Sequence, residues 1–348
     1  MAGLADAFGP IERFVRDVLP TVPGGAQHAA SGSGHHDLIR RAASDRGLTV
    51  RELASGTWFH DGRLAVGGIT GWVPSLVSRP ALTVCQSKDL TKQLLEAAGV
   101  PIPPGIELDV HRLEDALAHL RSSARALVLK PVAGHGGAGI TSGITTEQEL
   151  RLAWETAREV AVRPGLVLEE HVVGVDIRAF VVGRRVVAAG TRIHPHVVGD
   201  GRNTVAELVV QKEAWRARHV LMRKRPFTVD PALLELRGLA LDDVPPAGEV
   251  VVLNRLANLH LGGETADVTE VADPGLFALA VDAVRAVPGL GLAGVDLIVP
   301  DVRSADGAVI LELNVGANIR VHHYPTYGRP RDVAGAIVDE MMATARHP

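Results

Sequence analysis

The chain has 348 residues, 46% of them hydrophobic and 22% charged, with a formal net charge of −4. That is an ordinary globular composition, long enough for two or three packed units, and its mild charge excludes a protein built around nucleic acid or an acidic membrane surface. The single cysteine, Cys85, excludes an intrachain disulfide; with no leader pattern and no apolar run long enough to span a bilayer, the expectation is a cytoplasmic protein with no membrane partner.

Phe8, Ile11, Phe14, Val15, Val18 and Leu19 recur at helical spacing and predict an amphipathic helix over 4–19. A Gly/Ser/Pro linker, TVPGGAQHAASGSG, follows. Helix 36–46, strand 48–54 and a hairpin about Asp61–Gly62 come next. A helix over 87–98 stops at Gly99, where VPIPPG blocks its continuation. From 111 the order is helix 111–122, strand 126–130, a glycine-rich loop, strand 140–145 and helix 146–161. Three apolar strands follow, in GLVLEEHV, VDIRAFVVG and RRVVAAGTRI. A DG turn then precedes a helix. Arg216, Arg218, His219, Arg223, Lys224 and Arg225 form a basic segment, either cover for a substrate entrance or a solvated loop. The last third alternates strand 249–254, helix 274–287, strands 292–299 and 308–313, and helix 332–345. The class is α/β, without internal repeats.

Three stretches carry chemistry. In LKPVAGHGGAGITSG, Lys130 ends an apolar run and precedes Gly134, Gly136, Gly137 and Gly139. Exposed backbone N–H groups beside a fixed ammonium suit a polyphosphate; a hairpin loop that uses glycine for its turns fits equally well. In LAGVDLIVPD, Asp296 lies inside an apolar strand, and in VILELNV, Glu312 and Asn314 stand two apart on one face. An antiparallel neighbour would bring Asp296 opposite them. Two carboxylates and an amide oxygen are hard ligands that suit Mg²⁺; the alternative is the solvent face of amphipathic strands. In LEEHVVGVD, Glu169 and Glu170 end a strand and Asp176 follows. Such a strand end can read an adenine edge, with a carboxylate near the ribose, though charged strand ends are common without either role.

Lys88 in SKDLTKQLLEAAGVPIPPG, Lys130 in LKPVAGHGGAG, LEEHVVGVDIRAFVVG, RIHPHVVGDGRNTVAEL, LANLHLGGETADVT, GLGLAGVDLIV and LELNVGANIRVHHYP follow one another in the order seen in ATP-grasp carboxylate–amine ligases. Over residues 80–345 the sequence resembles the ATP-grasp module of cyanophycin synthetase and of bifunctional glutathione synthetases, and also the ligase that adds glutamate to ribosomal protein S6. Seven motifs in order are a specific signal where each alone is weak. The resemblance implies an ATP-grasp fold. Residues 1–34 would be a helix and linker, 35–110 a small N-terminal α/β domain, 111–172 a central lid and 173–348 a C-terminal domain with an antiparallel sheet.

The resemblance also implies roles. Lys88 and Lys130 would hold the ATP phosphates, with the loop containing Gly134, Gly136, Gly137 and Gly139 closing over them. Glu169, Glu170, His171 and Val172 would form the adenine hinge, and Asp176 would take the ribose. Asp296, Glu312 and Asn314 would bind two Mg²⁺, or Mn²⁺. Arg178, Arg192, Arg255 and Asn258 fall near the family's phosphate and oxyanion contacts. Arg255 stands three before Asn258, where relatives have two or four, and on a strand a one-residue shift reverses the face. Arg320 and His322 match an Arg-x-His pair. A guanidinium there can grip a substrate carboxylate; the alternative is a surface loop. The expected activity is ADP-forming amide-bond ligation, in which an amino-acid or peptide carboxylate, glutamate first, is phosphorylated by ATP and attacked by an amine. A phosphotransferase acting on a small-molecule acceptor is the alternative. A homodimer is compatible with either. Cys85 reads as buried rather than nucleophilic, and no spacing of the histidines suggests zinc.

Overall fold

A computed structural model describes residues 8–27, 29–133 and 138–346 of the chain. Strands β1 (Thr49–Leu53), β2 (Gly56–Asp61), β3 (Leu64–Thr70) and β4 (Val73–Pro74) form an antiparallel meander in that order. Its central hairpin turns about Asp61–Gly62, with Gly62 at the positive φ of 59° that a tight turn requires. The helices His35–Asp45 and Val333–Arg346 bury Leu38, Ile39, Ile337 and Val338 in one core with Phe59 and Val66 of this meander.

A second antiparallel sheet has the order β5 (Gly105–Asp109), β8 (Gly165–Glu170), β6 (Leu127–Pro131), β7 (Thr141–Ile144). Helices Leu113–Ser122 and Glu147–Val160 pack on it through Leu117, Leu120, Leu150 and Trp154, which form a core of their own with Leu129, Leu166 and Leu168. The second helix opens on a capping box: Thr146 Oγ1 accepts the Glu149 N–H, and the Glu149 carboxylate accepts that of Thr146.

The third sheet is the largest. Between β10 (Arg185–Ile193) and β13 (Glu264–Asp267) lie the paired strands β11 (His196–Val198) and β12 (Val250–Val252), with helices Val205–Arg216 and Pro231–Leu236 packed beside them. The five-stranded order is β13, β10, β9 (Val175–Val182), β14 (Leu292–Val299), β15 (Val309–Asn314), all neighbours antiparallel. β9, β10 and β14 read as nearly unbroken apolar runs because both their faces are covered. Ile177, Ala179, Val181, Val295 and Leu297 meet helix Pro274–Arg285 on one face. The intervening positions include Phe180, Val182, Ala188 and Leu292, which join the core of the meander. On that second face the same alternation also sets Asp176, Arg178, Arg192 and Asp296.

Several elements differ from the sequence reading. The N-terminal helical stretch is an α turn over Gly9–Arg13, a wider turn over Phe14–Val18 and a tight 3₁₀ turn over Leu19–Thr21 that contains Pro20. Its apolar residues still bury against the third sheet, which is what their spacing demanded. Strands β4, β5, β11 and β13 and helices Arg79–Cys85 and Pro231–Leu236 were not anticipated; all are short and lack a full period of alternation.

Candidate active site

Strand register builds this site. Pairing of β14 with β15 sets Asp296 opposite Glu312, and pairing of β14 with β9 sets Asp296 opposite Arg178. Asn314 stands opposite Gly294, where a Cβ would approach Ala317 Cβ to 2.6 Å and Arg178 Cδ to 3.4 Å. Glycine there leaves room for the arginine stem.

Asp296 is 1% exposed. Arg178 donates to both its oxygens, from Nε and Nη2, at 2.6 Å each. Arg192, on β10, spans both oxygens of Asp176 at 2.8 and 2.6 Å and reaches Asp296 at 3.4 Å. Burial pushes the Asp296 carboxyl up, but the two guanidinium charges outweigh it and hold the group down at about 2. Asn314 Nδ2 donates to Asp296 at 3.2 Å and to Glu312 at 2.8 Å. Lys88 opens helix Lys88–Ala97, and its Nζ lies 3.8 Å from Glu312.

The Lys88 N–H donates to the Val132 carbonyl at 3.1 Å, just beyond β6, and so joins this cluster to the second sheet. There Lys130 is 6% exposed and bonds Glu169 of β8. The same carboxylate takes Lys92, one turn after Lys88 on its helix. Glu170 pairs with Arg125 at 3.1 Å. The N–H groups of Glu170 and His171 go to the carbonyls of Pro104 and Ala126, at 2.8 Å each.

No protein-family model matches the chain. The cyanophycin synthetase of Trichormus variabilis is 37% identical over 265 residues, which is 73% of this chain and 29% of that protein. The bifunctional glutathione biosynthesis protein GshAB of Enterococcus faecalis is 32% identical over 264 residues, 71% of this chain and 34% of that one. The crystal structure of a bifunctional glutathione synthetase from Pasteurella multocida superposes with a TM-score of 0.64 at 24% identity, over 88% of this chain and 44% of that one. This chain belongs to the ATP-grasp family. It spans about a third of the length of these curated ATP-grasp relatives.

Of the positions carried over from the ATP-grasp motifs, Lys88, Asp176, Arg178, Arg192, Asp296, Glu312 and Asn314 form one continuous polar cluster. Lys130 and Glu169 form a second, on the neighbouring sheet. His322 belongs to the first by position. It is 3% exposed, packs 5.8 Å from the Phe180 ring, and burial followed by the Arg178 charge pushes its imidazole down to about 3. It therefore stays neutral at neutral pH. Arg320 and His322 sit on a packed helical turn, Arg320–His323, and not on a surface loop.

Arg255 and Asn258 stand apart from this cluster. β12 ends at Val252, so the strand-face argument does not apply to Arg255, which is exposed and bonds Asp230 at 3.0 Å. Asn258 caps the turn Leu259–Leu261 by accepting the His260 N–H. Gly134, Gly136 and Gly137 lie outside the described residues. Gly139 has φ of 70°, and a Cβ there would meet Val160 Cγ2 at 2.5 Å, a backbone reason for the glycine independent of any ligand. The basic segment is not a fully solvated loop, because Arg216 and His219 are buried. Burial pushes the Cys85 thiol up to about 11, unsuited to a nucleophile. Among the described residues no cluster of three His, Cys, Asp or Glu side chains could hold a metal, and no helix is long and apolar enough to cross a membrane. Sequence reasoning missed Lys92; its spacing of four from Lys88 was the available signal.

Proposed function

We propose that the chain is an ADP-forming ligase that joins an amino-acid or peptide carboxylate to an amine, with ATP as phosphoryl donor and Mg²⁺ as cofactor. The observation that carries this reading is the register that sets Asp296 against Glu312 and Asn314, with Arg178, Arg192 and Lys88 around them. The names of the relatives, a cyanophycin synthetase and a glutathione biosynthesis protein, favour it over a phosphotransferase.

The donor set fits Mg²⁺. Two carboxylates, that of Asp296 held ionised by two guanidinia, are hard oxygen ligands, and a half-rotation of the Asn314 amide turns its oxygen to the same side. When bound there, the ions, two in this reading, neutralise phosphate charge as the phosphoryl group moves. The chain's own residues do the rest. Lys88 and Lys130 approach from one helix and one strand tied together at Val132, and serve as point charges for the phosphates. Because Glu170 and His171 have spent their N–H groups, the base edge falls to the turn that begins at Val172. Arg178 and Arg192, preorganised by Asp296 and Asp176, supply fixed positive charge where the acyl phosphate and the oxyanion of amine attack develop.

The test is ADP release by the full chain with ATP and Mg²⁺, across amino acids singly and in pairs. A ligase requires a carboxylate and an amine together for full turnover. Full turnover with a single hydroxyl-bearing acceptor would establish the phosphotransferase instead.

A further inference from the structure

Lys92 has no part in the scheme above, yet it shares a buried carboxylate with a residue that does. Strand alternation decides where that carboxylate lies. In the second sheet Val128 stands opposite Glu169, and Lys130 stands opposite Val167. Leu127, Leu129, Leu166 and Leu168 turn to the face that the two helices cover. Lys130 and Glu169 therefore share the other face, and helix Lys88–Ala97 brings Lys92 to them there.

Glu169 is 3% exposed, and each of its oxygens takes one ammonium: Oε1 accepts from Lys130 and Oε2 from Lys92. No other acidic side chain among the described residues comes within ion-pair distance of either ammonium. One carboxylate set between two ammonium groups leaves a net positive charge largely out of water. Burial pushes the Lys92 ammonium down from its ordinary range, against the attraction of Glu169. A surplus charge of this kind is unfavourable until a further anion meets it.

The two lysines are not equivalent. Lys92 stands on a helix that is pinned on either side of it. The Lys88 N–H goes to the Val132 carbonyl, the buried Thr91 hydroxyl donates to the Val84 carbonyl at 2.9 Å, and Leu95 is buried in the core of the third sheet. Lys130 lies on β6, four residues before Gly134. Strand pairing fixes its backbone, while its four-carbon stem is free to swing. If Lys130 were the only partner of Glu169, its departure would leave a buried carboxylate unpaired. With Lys92 in place, the departure leaves a one-to-one pair.

We propose that Lys92 is a positioning residue for nucleotide binding: it keeps Glu169 paired, so that Lys130 exchanges that carboxylate for a nucleotide phosphate. This rests on the ligase reading, which puts Lys130 on the phosphates. Lys92 itself touches no nucleotide in this exchange, and no buried charge loses its counter-charge during it.

The test is a double-mutant cycle on the full chain, read by calorimetric titration with Mg²⁺ and a non-hydrolysable ATP analogue. Lys92→Met removes the charge and keeps a long side chain, so Glu169 and Lys130 become an exclusive pair that the nucleotide has to break. Analogue affinity should fall about ten- to a hundredfold, the scale of one charge-assisted contact, and Lys92→Arg should recover most of it. In a Glu169→Gln background Lys130 is no longer held, and Lys92→Met should change the affinity by less than about threefold. Comparison within each background cancels anything that Glu169 does toward the base. An equal fall in both backgrounds would make Lys92 a phosphate contact or a structural residue, and no fall with Glu169 in place would leave it without a role in binding; either result overturns the exchange. Should Glu169→Gln not fold, the double variant, with one lysine against a neutral amide, is compared with Lys92→Met alone. Tighter binding by the double variant supports the exchange, and equal or weaker binding overturns it. Failure of the wild type to bind the analogue removes the ligase reading, and the exchange with it.

Discussion

Glu312 and Asp296 face each other across β14 and β15 but have different surroundings: Asp296 is locked between guanidinia, whereas Glu312 accepts from the Asn314 amide at 2.8 Å and lies 3.8 Å from Lys88. Glu312, without a guanidinium fork on its oxygens, is the carboxylate held less tightly. Glu312→Ala should abolish ADP release while leaving the melting temperature close to wild type; near-normal turnover would remove it from the reacting cluster. Arg178→Gln should act mainly on stability, because it leaves Asp296 buried with half its pairing. A loss of roughly 3–5 kcal/mol is expected in urea denaturation. The Asp296, Glu312 and Asn314 set was legible in the sequence because alternation fixes which residues of a strand share a face. The bond from Arg178 to Asp296 was not, since the two lie 118 positions apart and meet only through the register of β9 with β14. Arg255 shows the opposite failure: its reading assumed a strand that stops three residues earlier.

Helix Lys88–Ala97 is the element that joins two sheets. Lys88 turns to Glu312 of the third sheet, and Lys92 turns to Glu169 of the second. Glu169→Gln would leave Lys92 and Lys130 beside each other without their shared counter-charge. We expect a fall in stability of roughly 3–5 kcal/mol by urea denaturation, with the second sheet lost first; a change under 1 kcal/mol would mean that the two ammonium groups are solvated. Long elements of this kind could be read from their period and caps, as Thr146 and Glu149 show for the helix Glu147–Val160. Strands such as β5, which follows a run of prolines, could not, because five residues of mixed polarity acquire a strand's identity only from pairing with β8.

At the scale of the whole molecule, burial of imidazoles sets the response to acid. Burial pushes His35, His194 and His196 down to about 4 and His322 to about 3. The unfolded chain protonates the same groups below about pH 6.5. Between those values the unfolded state holds more protons, so stability falls as pH drops through the window, by up to about 1.4 kcal/mol per pH unit for each imidazole. The urea midpoint should be level above pH 7 and decline from 6.5 to 4.5; a level line down to 4.5 would contradict the burial of these rings. Asp296, held down at about 2 against an ordinary 3.8, adds its own loss only below pH 4. The meander and the third sheet share a core through Phe180, Leu292 and the last helix, whereas the second sheet keeps its own. In an exchange experiment in heavy water, this division becomes one of clocks. The amides of β6 and β8 should take up deuterium together, as a block, while those of β9 and β14 still hold their protons, and a nucleotide that bridges Lys88 and Lys130 should slow the faster clock toward the slower one.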